Sequence, residues 1–180
     1  MKKLLSLLCL VSLLMISPVL PVLAEARDPL IMLEFPQIKL VLPEGETSVE
    51  KVIPLDNGLQ LVVTLRETIT TTGSPLRTSI RRTLTSESTV RGADGTKLGS
   101  ITAVGVFDTN GSTSNPEDAY GYGQVNRYSI ESPSNTLSDE QFYAWVRVTI
   151  KGVPVGPVQP FTYNCTINCD ANGNHSASWV

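Results

Sequence analysis

From Leu59 to Asp108 the chain repeats one pattern, a β-branched run followed by turn residues and a second β-branched run. "LQLVVTLRETIT" (59–70) is rich in Val, Thr and Ile, which favour a pleated, half-buried surface. "SIRRTLTSESTV" (79–90) alternates Ile80, Arg82 and Leu84 with polar neighbours. "GADGT" (92–96) follows, and its Asp-Gly step supplies the positive φ of a tight hairpin turn. The chain resumes as "KLGSITAVGVFD" (97–108), so residues 79–108 read as one β-hairpin. No stretch after the first 24 residues sustains a helical period.

A second pair lies downstream. "QFYAWVRVTI" (141–150) puts Phe142, Ala144, Val146 and Val148 on one face and Tyr143, Trp145, Arg147 and Thr149 on the other. "KGVPVGP" turns, "VQPFTYNCTIN" returns, and "NGNHSASWV" offers a last short strand. Upstream, "IMLEF", "IKLVL" and "VEKVIPL" are strand candidates weakened by Pro36, Pro43 and Pro54. Ser138 with Gln141 forms a capping-box pattern, which leaves a short helix open at "SDEQFYAW". Seven or eight strands separated by turn signals predict an all-β fold. The expected architecture is an antiparallel β-sandwich, immunoglobulin-like in the broad sense.

The first 24 residues read as a signal peptide. Lys2 and Lys3 precede a long apolar run, broken by Pro18 and Pro21 and ending in Val22-Leu23-Ala24, so cleavage is expected before Glu25. Cys9 sits inside the apolar run, where a lipoprotein signal would not place it. Removing 24 of the 180 residues leaves 156, residues 25–180, which suits a single domain. Loss of Lys2 and Lys3 takes 14 basic residues to 12 against 17 acidic ones, a net charge of −5. That balance, with Lys and Arg unclustered, argues against nucleic acid or an anionic membrane as partner. The one basic doublet, Arg81-Arg82, points to opposite faces of a strand and reads as a solvated edge.

Little in the chain looks reactive. His175 is the only histidine, and neither a Gly-x-Ser-x-Gly elbow nor an H-E-x-x-H motif accompanies it. The carboxylates are dispersed, so no acid–base pair is legible and no catalytic residue is assigned. Cys165, Cys169 and His175 provide three zinc ligands where a structural site wants four. Redox chemistry wants a C-x2-C spacing at a helix start, whereas the spacing here is three on a strand-like segment. Neither a metal nor a cofactor is therefore expected. A local Cys165–Cys169 disulfide is the favoured reading, with buried free thiols or bonds between chains as alternatives. It carries a geometric condition. Residues four apart on a regular strand are separated by about 13 Å, and a disulfide needs Cα atoms within about 7 Å, so "CTINC" would have to bulge or turn. "DTNGS" (108–112) and "DANGN" (170–174) superficially resemble calcium loops. They lack the later Gly and Glu, and Asn-Gly reads better as a turn. Asn110, Asn164 and Asn174 lie in N-x-[ST] sequons, with no modification expected because the short leader looks bacterial.

The segment 108–126, "DTNGSTSNPEDAYGYGQVN", is long, polar and Gly-rich, and loops of that length tend to be functional or disordered. Tyr120, Tyr122 and Tyr128 cluster in and beside it. With Asn126 and Arg127 they offer the rigid aromatic and adaptable polar chemistry of a binding loop. The alternative is that the rings pin the loop to the core. The stretch "SESTVRGADGTKLGSITAVGVFDTNGS", with the late cysteines and "CDANGN", resembles small secreted β-sandwich proteins of Gram-positive bacteria over residues 79–180. The resemblance implies fold and location but no activity. The expected function is that of a secreted, non-catalytic extracellular interaction module, its partner a cell-surface or matrix glycan or protein. A secreted effector or inhibitor, or a carboxylate-based hydrolase, stands behind it.

Overall fold

The computed structural model of the chain describes residues 36–72, 79–157 and 159–180. The leader, its cleavage site and the strand candidate at 31–35 lie outside these residues. Among the described residues there are ten strands: β1 (Ile38–Leu42), β2 (Ser48–Pro54), β3 (Gln60–Thr72), β4 (Ser79–Arg91) and β5 (Lys97–Thr109). They are followed by β6 (Ser114–Val125), β7 (Tyr128–Leu137), β8 (Tyr143–Pro154), β9 (Phe161–Asp170) and β10 (His175–Trp179). Among the described residues the sole helical element is a single 3-10 turn at Asp56–Gly58. The helix left open at 138–145 is not formed. Ser138 instead accepts the Trp145 N–H through its hydroxyl at 2.9 Å, and the chain enters β8.

All pairings are antiparallel and form one sheet of order β1-β10-β9-β8-β7-β6-β5-β4-β3-β2. From β2 to β10 every sequence neighbour is a sheet neighbour, and only β1 crosses over to lie beside β10. This up-and-down order replaces the Greek-key connections of an immunoglobulin-like domain, and ten strands replace the seven or eight expected. The difference arises where composition was polar. Residues 108–126 are a tight Asn110–Thr113 turn flanked by the end of β5 and all of β6, and β7 carries Ser, Asn and a proline at a register shift.

Alternation along the strands builds the core. Leu61, Val63 and Leu65 of β3, Ile101, Ala103 and Phe107 of β5, and Val146, Val148 and Ile150 of β8 are all buried in one cluster. β10 adds Ala177 and Trp179, whose indole N–H donates to Ser86 Oγ on β4 at 2.9 Å. The sheet therefore wraps around its own inner face. Gly105 and Gly121 permit the close approach: a Cβ at either would lie 2.7 Å from Val146 or Ile150 of β8. The edges β1 and β2 approach each other beside their connecting loop, residues 43–47, without a hydrogen-bonded ladder. This seam leaves the sheet nearly closed.

Candidate functional site

Three charged or titratable side chains interrupt the apolar inner face at one end of the seam. On β3 the inward positions run Leu61, Val63, Leu65 and then Glu67. On β4 they run Val90, Ser88, Ser86, Leu84 and then Arg82. On β10 they run Trp179, Ala177 and then His175. Registers of β3 with β4 pair Glu67 with Leu84 and Ile69 with Arg82, which sets Glu67 and Arg82 diagonally across the ladder. His175 is opposite Leu42 of β1 and Cys169 of β9.

The three side chains meet on one oxygen. Glu67 Oε1 accepts from an Arg82 Nη and lies 2.9 Å from His175 Nε2. The side chains of Glu67 and Arg82 are 7% and 13% exposed, and His175 is 3% exposed. Arg82 Nε donates to Thr109 Oγ1 at 3.0 Å. Burial pushes the His175 ring below its ordinary pKa, and the upward pull of Glu67 does not reverse this. The ring is therefore neutral at pH 7. Because a carboxylate only accepts, Nε2 carries its proton and Nδ1 is left as a bare acceptor, buried without a donor.

Two turns wall this cluster into a cleft of about 580 Å³. The β1–β2 loop closes one side. Glu46 N–H donates to Pro43 O at 3.1 Å, Gly45 sits at φ +81°, and Thr47 O accepts from Glu67 N–H at 2.9 Å. The β9–β10 turn closes the other. Asp170 Oδ1 accepts from the backbones of Asn172 and Asn174 at 2.9 and 2.8 Å, and Oδ2 accepts the Asn174 amide at 2.7 Å. Burial raises the Asp170 carboxyl, but the Asn174 amide and the turn N–H groups outweigh it and hold it below its usual range. The "DANGN" carboxylate is thus committed to its own turn, the bland alternative to a calcium loop. Gly173 is required twice over: its φ is +88°, and a Cβ would meet the Arg82 guanidinium at 2.7 Å.

No family model, curated protein or solved structure matches this chain.

Residues singled out from sequence fall into separate places. Tyr120 and Tyr122 lie on the outer face of β6, 42% and 53% exposed, with ring centroids 6.4 Å apart and stacked. Asn126 and Arg127 form the exposed β6–β7 turn, Arg127 at φ +62°. Tyr128 does not join them. It is buried against Phe161 with centroids 5.0 Å apart, and its hydroxyl donates to Gln159 O at 2.8 Å. It pins the turn to the core.

The Cys165–Cys169 disulfide is corrected. β9 keeps an unbroken register with both β8 and β10, so the bulge that the bond required is absent and both cysteines are buried free thiols. Burial pushes the Cys169 thiol up to about 12 and raises Cys165 as well, which leaves neither nucleophilic at neutral pH. Arg82 is also corrected: it is no solvated edge residue but the cationic member of the cleft. Arg81 does face outward, in a two-pronged pair with Asp108 at 2.8 Å. Glu67 was missed in the sequence altogether. Its signal was a carboxylate at an inward position of a strand whose other inward residues are apolar.

Proposed function

We propose that the chain is a secreted, non-catalytic extracellular interaction module that contacts a cell-surface or matrix glycan or protein through the outer face of β6 and the β6–β7 turn. The observation that carries this reading is the Tyr120–Tyr122 pair: two exposed rings side by side on a strand paired along its length with β5. Rings held on a strand present apolar area with little conformational freedom left to lose on binding. Asn126 and Arg127 add hydrogen-bond donors at the end of the same strand. The leader-like first 24 residues support secretion, and the resemblance of residues 79–180 to small secreted β-sandwich proteins of Gram-positive bacteria supports the same location. The net acidic balance speaks against nucleic acid, and no membrane contact is proposed once the leader is removed. A two-layer, sandwich-like description of the sheet is part of this reading. In it β2–β6 face β7–β10 and β1, supported by the Trp179–Ser86 contact and the single-pair ladder joining β6 to β7.

The test is the double replacement Tyr120→Ala and Tyr122→Ala, assayed by depletion binding to purified cell-wall and matrix fractions and on a glycan array. Aromatic anchors of this kind contribute about 2 kcal/mol each, so retention should fall by about 30-fold or more per ring while the melting temperature holds. Unchanged retention by the folded double variant refutes the reading.

A further inference from the structure

We propose that the cleft between the β1–β2 loop and the β9–β10 turn is a second binding site, one that takes an alkylammonium group. This goes beyond the β6 reading and does not depend on it. The cleft volume of about 580 Å³ falls within the range of small-molecule sites, roughly 300–1,000 Å³. Apart from the Arg82 guanidinium, the Asn172 and Asn174 amides and the Thr47 hydroxyl, the polar side chains of its lining are acceptors. Glu67 offers two oxygens, of which Oε1 takes Arg82 and His175. His175 Nδ1 is a buried acceptor with no donor. Glu44 and Glu46 project from the loop at the mouth. Arg82 is the lone cation among the cleft's described lining, and Thr109 and Glu67 already engage its Nε and one Nη.

Three carboxylates against one guanidinium and a neutral imidazole leave the cleft with a net charge of −2. What such a lining lacks is a second cationic donor to balance its carboxylates. An ammonium has three donors and no acceptor, the complement of this set, and its bonds to carboxylate are charge-assisted. Leu42, Pro43 and Ile69 line the same cleft and suit the methylene chain behind it. The chemistry is shared by free polyamines and by lysine side chains of a polypeptide.

The experiment titrates the purified full chain with spermidine and with a trilysine peptide, using citrate as the anionic control. Heat is followed alongside the ¹⁵N resonances of His175. Saturable binding of spermidine, with or without trilysine, assigns the site to free amines, and binding of trilysine alone assigns it to a polypeptide; both support the proposal. Glu44 and Glu46 are exposed, so the variant Glu44→Gln with Glu46→Gln folds normally, and it should weaken binding by about tenfold. Raised salt should weaken it further. The Nδ1 resonance should move as that nitrogen gains a donor. The variant lacking Tyr120 and Tyr122 should bind amines as the parent does, which separates this site from the β6 face. Absence of saturable amine binding overturns the proposal. So does affinity unchanged in the double Gln variant, or preference for citrate.

Discussion

Glu67 shows what a single charged residue costs when it takes an inward position. Its carboxylate is removed from water, and only the guanidinium of Arg82 and the N–H of His175 offset that desolvation. Such a cluster is costly to break, because loss of one partner strands another. It also makes stability depend on pH. The folded-state pKa of His175 lies below its unfolded value of 6.5, so between the two values the unfolded chain binds more protons. Stability from this group is complete above pH 6.5 and is lost as pH falls from there towards the folded value. The melting temperature should therefore decline on acidification from about pH 7 to pH 5, before the carboxylates titrate. His175→Gln, which keeps a donor for Glu67, should flatten that slope. A slope unchanged in His175→Gln would place its origin elsewhere.

At the level of the element, the sheet is set by alternation and by where glycine allows backbones to meet. Gly123 on β6 is the strictest case: a Cβ there would lie 2.5 Å from Ser100 O and 3.0 Å from Ile101 Cα, both on the neighbouring strand's backbone. Rotamer change cannot relieve a clash with backbone, so Gly123→Ala should destabilise by about 2–3 kcal/mol, measured by chemical denaturation. A cost below about 0.5 kcal/mol would show that β5 and β6 slide apart freely. These glycines also explain what the sequence concealed. The hairpin of β4 and β5, the pair β8 and β9, and the terminal strand β10 were all legible from β-branched runs and Gly-centred turns. β6 was not, because Gly121 and Gly123 occupy inward positions where an apolar residue would have marked the alternation. β7 was hidden by Ser, Asn and Pro133 on a strand mostly exposed to solvent. The cleft was illegible for a different reason. Glu67 and Arg82 meet through the β3–β4 ladder, but His175 lies 108 residues from Glu67, and only the wrapping of the sheet brings β10 to the same oxygen.

For the whole molecule, closure depends on the shortest strands at the chain's far ends. β10 inserts between β1 and β9, so among the described residues it is the strand that hydrogen-bonds β1 into the sheet. It also supplies Trp179, fully buried and bonded to Ser86 on β4, and His175 in the cleft. Removing Trp179 alone should cost about 3–5 kcal/mol as a large buried side chain. A chain ending at Asn174 would lose in addition Ala177, the His175–Glu67 contact, and both ladders of β10. β1 would then have no partner, and Ile38, Leu40 and Leu42 would lose the strand that holds them to the core. Against a domain stability of about 5–15 kcal/mol, that sum leaves no stable native state. The expected outcome is a truncated chain without near-ultraviolet circular dichroism or a cooperative thermal transition. Trp179→Phe in the full chain should unfold cooperatively at a lowered temperature. A cooperative transition in the truncated chain would mean that β2–β9 fold alone. The seam and its cleft would then be an appendage to the fold rather than its closure.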